Sequence, residues 1–191
     1  MGWKCISWPK IIKGSSVKDL KVGSWVIPTA EDGTWRTYGV YSEEKLLKID
    51  ETLPLVSAAT IYVNPCTAYR MLKDFEDLQE GSCVIQNGAN SAVGQAVIQI
   101  AKHFKINTIN VIRDRPNVES LKSYLTSLGA THVVVENELR NPLMADILKA
   151  FKCSAKLCRG KSAAELMRHM MDSELLLPMV PCQNSNDFME V

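Results

Sequence analysis

The residues whose types and spacing carry the most chemistry lie between Asn87 and Arg115. Asn87-Gly88-Ala89-Asn90-Ser91-Ala92-Val93-Gly94 is built almost wholly of small residues and leads into a run with helical spacing. A helix N-terminus presents backbone N–H groups and the positive end of the helix dipole, so small residues there leave an approach open to a pyrophosphate. Farther on, Arg113-Asp114-Arg115 follows an apolar run. In a βαβ unit an acidic residue at that place bonds a ribose 2′-hydroxyl, whereas arginine suits a 2′-phosphate. Arg113 and Arg115 therefore favour NADPH over NADH. Gly88 and Gly94 do not make a full G-x-G-x-x-G. The alternative is a buried βα connection in another doubly wound domain, with the arginines in an ordinary solvated loop.

The elements that must position these residues are legible around them. Cys83-Val84-Ile85-Gln86 reads as a short strand, Val93, Val97, Ile98, Ile100 and Ala101 as one helix face, and Thr108-Ile109-Asn110-Val111-Ile112 as a second strand. Beyond Pro116 the pattern predicts a helix over Val118–Leu128 closed by Gly129, a strand over Thr131–Val135 and a helix over Pro142–Phe151. His132 reads as packing, with nothing beside it to form a triad. Lys161–Met171 keeps helical spacing, and the tail 172–191 has two prolines, no glycine and no strand-helix rhythm. Upstream, Val22–Pro28 reads as a turn into a strand, Glu31-Asp32-Gly33 as a turn and Trp35–Tyr41 as a strand. From Pro54 to Leu78 the spacing is helical with a break at Asn64-Pro65, where Asn64 reads on its own as a helix cap.

Composition narrows the function classes. The 191 residues are 46% hydrophobic, enough for one full core, and a net charge of +1 gives no general attraction to nucleic acid or an anionic membrane. No apolar run approaches the length of a membrane span. Cysteines at 5, 66, 83, 153, 158 and 182 form no C-x-x-C pair and no zinc ligand cluster, so no metal is expected and reduced thiols are. Lys4, Lys10 and Lys13 precede the first acid, Asp19, a faint transit-peptide composition without arginine.

Several segments together carry a family resemblance. Gly23-Ser24-Trp25-Val26-Ile27-Pro28, Gly33-Thr34-Trp35-Arg36-Thr37, Asn64-Pro65-Cys66-Thr67-Ala68-Tyr69-Arg70-Met71-Leu72, Val84 to Asn87 through Gln99-Ile100-Ala101, and Asn110 to Pro116 resemble the mitochondrial trans-2-enoyl-thioester reductases. These form a zinc-free, quinone-oxidoreductase-like branch of the medium-chain dehydrogenase/reductase superfamily. The resemblance runs from Val17 to about Ala150. It implies an α/β fold: a partial Rossmann-like doubly wound parallel sheet (82–171) preceded by a remnant of a GroES-like β-rich lobe (17–55) and linking helices (56–81). Residues 1–16 and 172–191 are unmatched, so the chain is expected to be truncated at both ends. The implied activity is NADPH-dependent reduction of enoyl-CoA or enoyl-acyl-carrier-protein in mitochondrial fatty acid synthesis. The matching cofactor residues are Asn64, Asn90, Ser91, Ala92, Val93, Arg113, Asp114 and Arg115. Ala92 replaces the family's usual glycine, and its methyl group predicts weakened binding. The segment bearing the proton-donating tyrosine has no counterpart, and Tyr38, Tyr41, Tyr62, Tyr69 and Tyr124 lie in other motifs, so no catalytic residue is assigned. The implied partners are the enoyl thioester and a homodimer or other protein at an open sheet edge. The alternative is a noncatalytic nucleotide-binding or partner-binding module. Localisation is mitochondrial by family, with the cytosol as the alternative.

Overall fold

The computed structural model describes residues 14–29, 37–141, 146 and 155–157. The chain divides into two units, Met1–Cys66 and Thr67–Val191. The turn at Glu31–Gly33 and the helix over Lys161–Met171 lie outside the described residues, as does the helix over Pro142–Phe151 apart from Asp146.

In the first unit β1 (Val26–Pro28) pairs antiparallel with β2 (Leu46–Lys48), with Ile27 opposite Leu47. Ile27 and Ala58, the latter on α1 (Leu55–Thr60), are buried, with Trp25, Ile49, Leu53, Ala59, Ile61 and Tyr62 packed around them. The Glu43 carboxylate accepts three consecutive backbone N–H groups, from Lys18 at 2.9 Å, Asp19 at 2.7 Å and Leu20 at 3.0 Å. One charged side chain thereby fixes a segment that has no ladder partner of its own. The strand expected over Trp35–Tyr41 does not form across its described part, 37–41. Tyr38 and Val40 there are 87% and 97% exposed, so no buried face rewards an extended pairing.

The second unit contains most of α2 (Asn64–Lys73) and a four-stranded parallel sheet. Its strands are β3 (Cys83–Asn87), β4 (Asn107–Ile112), β5 (His132–Val135) and β6 (Ala155–Leu157), in the spatial order β5-β4-β3-β6. The helices α3 (Ala92–His103) and α4 (Val118–Leu128) connect β3 to β4 and β4 to β5. The chain thus runs outward from β3 in one direction and then returns to add β6 on β3's other side. In open parallel sheets a ligand crevice forms outside the carboxyl ends of the strands where the order reverses, here at β3 and β6.

Two apolar clusters hold the helices to this sheet. Val97 and Ala101 of α3 pack with Val84, Ile106 and α2's Ala68, Met71 and Leu72. Ile98 of α3 packs with Ile112, Val135 and α4's Leu125. Between the clusters lies a buried polar ladder. Gln86 Nε2 donates to Gly94 O at 3.0 Å and to Asn110 Oδ1 at 2.7 Å. Asn110 Nδ2 donates in turn to Thr108 Oγ1 at 2.8 Å and His132 O at 3.0 Å. Gln86 and Asn110 are register partners, so the ladder crosses three adjacent strands and reaches the first turn of α3.

Two stability predictions follow from these contacts. Asn110→Ala leaves one Gln86 amide hydrogen without its acceptor in a dry interior, opens a cavity between strands, and is expected to cost about 3 kcal/mol in urea unfolding. Glu138 supplies a pH dependence. Burial raises the pKa of its carboxyl, but the Val135 N–H at 2.7 Å and the Lys122 ammonium at 3.1 Å outweigh burial and leave the pKa lowered. A depressed carboxylate contributes its stability in full above the unfolded pKa, about 4.3, and loses it as pH falls through the folded value. Glu138→Gln is expected to be less stable than wild type at neutral pH, with the two converging below that window in acid unfolding curves.

Candidate dinucleotide-facing turn

The turn between β3 and α3 is set by three local devices. Gly88 leaves the strand with φ +63°, a conformation that favours glycine, and Ser91 N–H donates back to Gly88 O at 2.9 Å. Ser91 then caps α3: its backbone is extended and its Oγ accepts from Gly94 N–H at 3.1 Å. Gly94 permits the third device, close packing of the helix on the turn. A Cβ at 94 would stand 2.7 Å from both Cα and O of Ala89, a buried residue whose N–H reaches Val111 O at 3.4 Å. The two glycines therefore do different work, one turning the chain and one admitting the helix.

Ser91 and Ala92 are exposed at the head of α3, and Asn90 is half-buried. Val93 turns its side chain into the cluster containing Val84 and Val97, so only its backbone is available to the turn. Gly94 N–H is satisfied by the Ser91 hydroxyl and Gln95 N–H by Ser91 O. Helix geometry gives the N–H groups of Ala92 and Val93 no intrahelical acceptor, so these are the donors the turn offers an anion.

Arg113, Asp114 and Arg115 follow the buried end of β4 and are exposed. Because β3 and β4 are parallel neighbours with Asn87 opposite Val111, this segment and the turn lie at the same carboxyl edge of the sheet. Among the described residues neither guanidinium takes part in an ion pair. Asn64 opens α2 and belongs to the first unit.

The tyrosines are dispersed. Tyr62 packs in the first unit's small core, Tyr69 lies with its ring centroid 6.3 Å from Phe104, and Tyr124 donates its hydroxyl to Gln95 Oε1 at 3.1 Å. Among the described residues no three His, Cys, Asp or Glu side chains gather as a metal site, and no helix is long and apolar enough to cross a membrane. Sequence reasoning missed Gln86, Asn110 and Gln95 as supports of the turn. For Gln86 and Asn110 the available signal was an amide inside each of two consecutive apolar strands; Gln95, on α3, carried none.

The turn fits a dinucleotide phosphate on its own geometry: small exposed residues, two helix donors without intrahelical partners and two guanidiniums at the neighbouring strand end. Comparisons with known proteins find relatives that match most of the chain. Human mitochondrial enoyl-[acyl-carrier-protein] reductase is 54% identical over 161 residues, covering 82% of this chain and 43% of the human protein. The mitochondrial 2-enoyl thioester reductase Etr1p/Etr2p heterodimer from Candida tropicalis superposes with TM-score 0.76 at 36% identity, over 84% of this chain and 50% of that one. A solved complex of Etr1p with NADP and crotonyl-CoA superposes with TM-score 0.77 at 36% identity, over the same shares of each chain. No family model matches. The chain spans about half the length of the relatives it matches.

Gly94→Ala is expected to force α3 off Ala89 and lower stability by about 2 kcal/mol in thermal or urea unfolding. Gly88→Ala is expected to cost about 1 kcal/mol from backbone strain alone, since open space surrounds that position.

Proposed function

Over the residues it matches, the chain belongs to the family of mitochondrial enoyl-thioester reductases, and from that premise we propose that it carries the NADPH-holding part of such an enzyme. The Ala92 and Val93 N–H groups at the head of α3 receive the pyrophosphate, with the Asn90 and Ser91 side chains beside it. Arg113 and Arg115 receive the 2′-phosphate, with Asp114 between them in the same adenosine-phosphate segment. Asn64, at the start of α2, matches the asparagine that contacts the cofactor in the family. The Ala92 methyl group narrows the pyrophosphate approach and weakens binding relative to glycine.

When bound, NADPH supplies a hydride for the β-carbon of a trans-2-enoyl thioester of CoA or acyl carrier protein, and a proton at the α-carbon completes the reduction. The contribution of this chain's residues is to hold and orient the dinucleotide. The proposed setting is mitochondrial fatty acid synthesis, supported by relatives named as mitochondrial enoyl-[acyl-carrier-protein] reductases. Pairing with a second copy or a related subunit through a sheet edge is the proposed assembly, supported by the heterodimer of the Candida tropicalis relative. The observation that carries the reading is the juxtaposition, on one sheet edge, of the glycine-shaped turn and the arginine pair.

The test is thermal unfolding of the purified chain against increasing NADPH, with NADH as the control. A ligand that binds only the folded state at a hundred times its Kd adds about 2.7 kcal/mol of stability. NADPH is expected to raise the unfolding temperature more than NADH does at equal concentration. Arg113→Ala and Arg115→Ala are each expected to lower NADPH affinity about tenfold and leave NADH unchanged. Ala92→Gly is expected to tighten both nucleotides. A cooperative transition that neither nucleotide moves overturns the reading.

A further inference from the structure

The turn at 88–94 is gripped from two sides by side-chain amides. On the sheet side Gln86, which is 3% exposed, spends one Nε2 hydrogen on Gly94 O at 3.0 Å and directs the other to Asn110 Oδ1 at 2.7 Å. On the other side Gln95 Nε2 donates to Asn90 O at 2.9 Å, and Gln95 Oε1 accepts the Tyr124 hydroxyl of α4 at 3.1 Å. Each amide thus holds a backbone carbonyl of the turn or of the helix's first turn. Each is itself fixed by a second residue from a different element, β4 for Gln86 and α4 for Gln95.

From this arrangement we infer that Gln86 and Gln95, backed by Asn110 and Tyr124, are positioning residues that preset the head of α3 for an anionic phosphate. The inference rests on the dinucleotide reading above and extends it to side chains that touch no ligand. The physical need is specific. An anion at a helix N-terminus gains most when the donors are already aimed, because ordering a loop at the moment of binding subtracts from affinity. Small residues at 88–92 keep the approach open, and apart from the buried Ala89 they bring little packing of their own to stiffen the segment. The two glutamines supply that stiffness through hydrogen bonds, without placing a side chain where the phosphate must come. Ser91 adds the cap at Gly94 N–H, so three side chains restrain a segment of seven residues.

The test separates positioning from folding by using two ligands. NADPH needs both the turn and the arginines, whereas adenosine 2′-monophosphate presents only the 2′-phosphate. Tyr124→Phe removes one exposed hydroxyl and keeps the ring, so it serves beside Gln95→Ala and the buried Gln86→Leu. NADPH affinity by titration calorimetry is expected to fall about threefold in Tyr124→Phe and about tenfold in the two glutamine variants. Adenosine 2′-monophosphate, followed by NMR line shifts, is expected to bind all of them as it binds wild type. Unchanged NADPH affinity in all three variants overturns the inference, as does a parallel loss of both ligands. Wild-type protein that binds neither ligand overturns the dinucleotide reading instead. Amide exchange at Gly94 and Gln95 then judges the clamp alone: faster exchange in Tyr124→Phe supports it and unchanged exchange overturns it.

Discussion

The hydrogen bond between Gln86 and Asn110 is the contact on which the second unit's site depends. Two amides facing one another across parallel strands carry a heavy desolvation cost, and they are tolerated because every donor has an acceptor. An apolar pair of the same volume would pack the sheet equally well. It would not reach out of the sheet to Gly94 O and fix the rotation of α3 about its own axis. Hydrophobic contacts at Val97, Ile98 and Ala101 press the helix onto the strands, but such contacts are non-directional. The directional element is the amide, and the direction it sets is that of the N–H groups at Ala92 and Val93.

The close approach at Gly94 works with that bond. With no Cβ, the first turn of α3 lies against Ala89, which brings Gly94 O within reach of a side chain rooted in β3. A bulkier residue would lift the helix and break the contact from the same position. Sheet packing, the glycine and the amide ladder are therefore one arrangement, and loss of any member shifts the others.

Much of this was legible in the sequence where the signal is local. The helix over Val118–Leu128 with Gly129 in the left-handed conformation after it and the β3-turn-α3-β4 run follow from spacing and caps. The break expected at Asn64-Pro65 instead falls at 61–63, with Asn64 and Pro65 already in α2, whose first turn tolerates proline. The turn itself was legible too, because small residues between an apolar strand and a helical run read as a tight connection. What was not legible depends on distant partners. β2 is only three residues long and exists because Ile27 and its neighbours need a ladder partner. The strand order β5-β4-β3-β6 is a global property, and no periodicity reports that β6 returns to the side of β3. Gln86 and Asn110 escaped for a related reason: hydrophobic patterning treats a polar residue inside an apolar strand as a gap, and only the register that sets them opposite one another gives them meaning.

The same ladder bears on selectivity for a nucleotide with two separated anionic groups. The pyrophosphate and 2′-phosphate of NADPH are joined through one ribose, which bounds their separation, so a protein that reads both must hold its two donor sets within that range. Here one set heads α3 and the other follows β4, and their spacing is set by how the helix seats on the sheet. Asn110 lies on β4 three residues before Arg113, and its partner Gln86 holds the helix, so a single buried bond links the strand that ends at the arginines to the turn. Solvated arginines on a loose frame would attract any polyanion through charge alone, with modest and salt-sensitive gain. On the proposed reading, arginines that follow a strand tied to the turn gain most for a ligand that satisfies both at once. On the proposed NADPH reading, discrimination against NADH has two parts, the charge at 113 and 115 and the rigidity that makes the charge count.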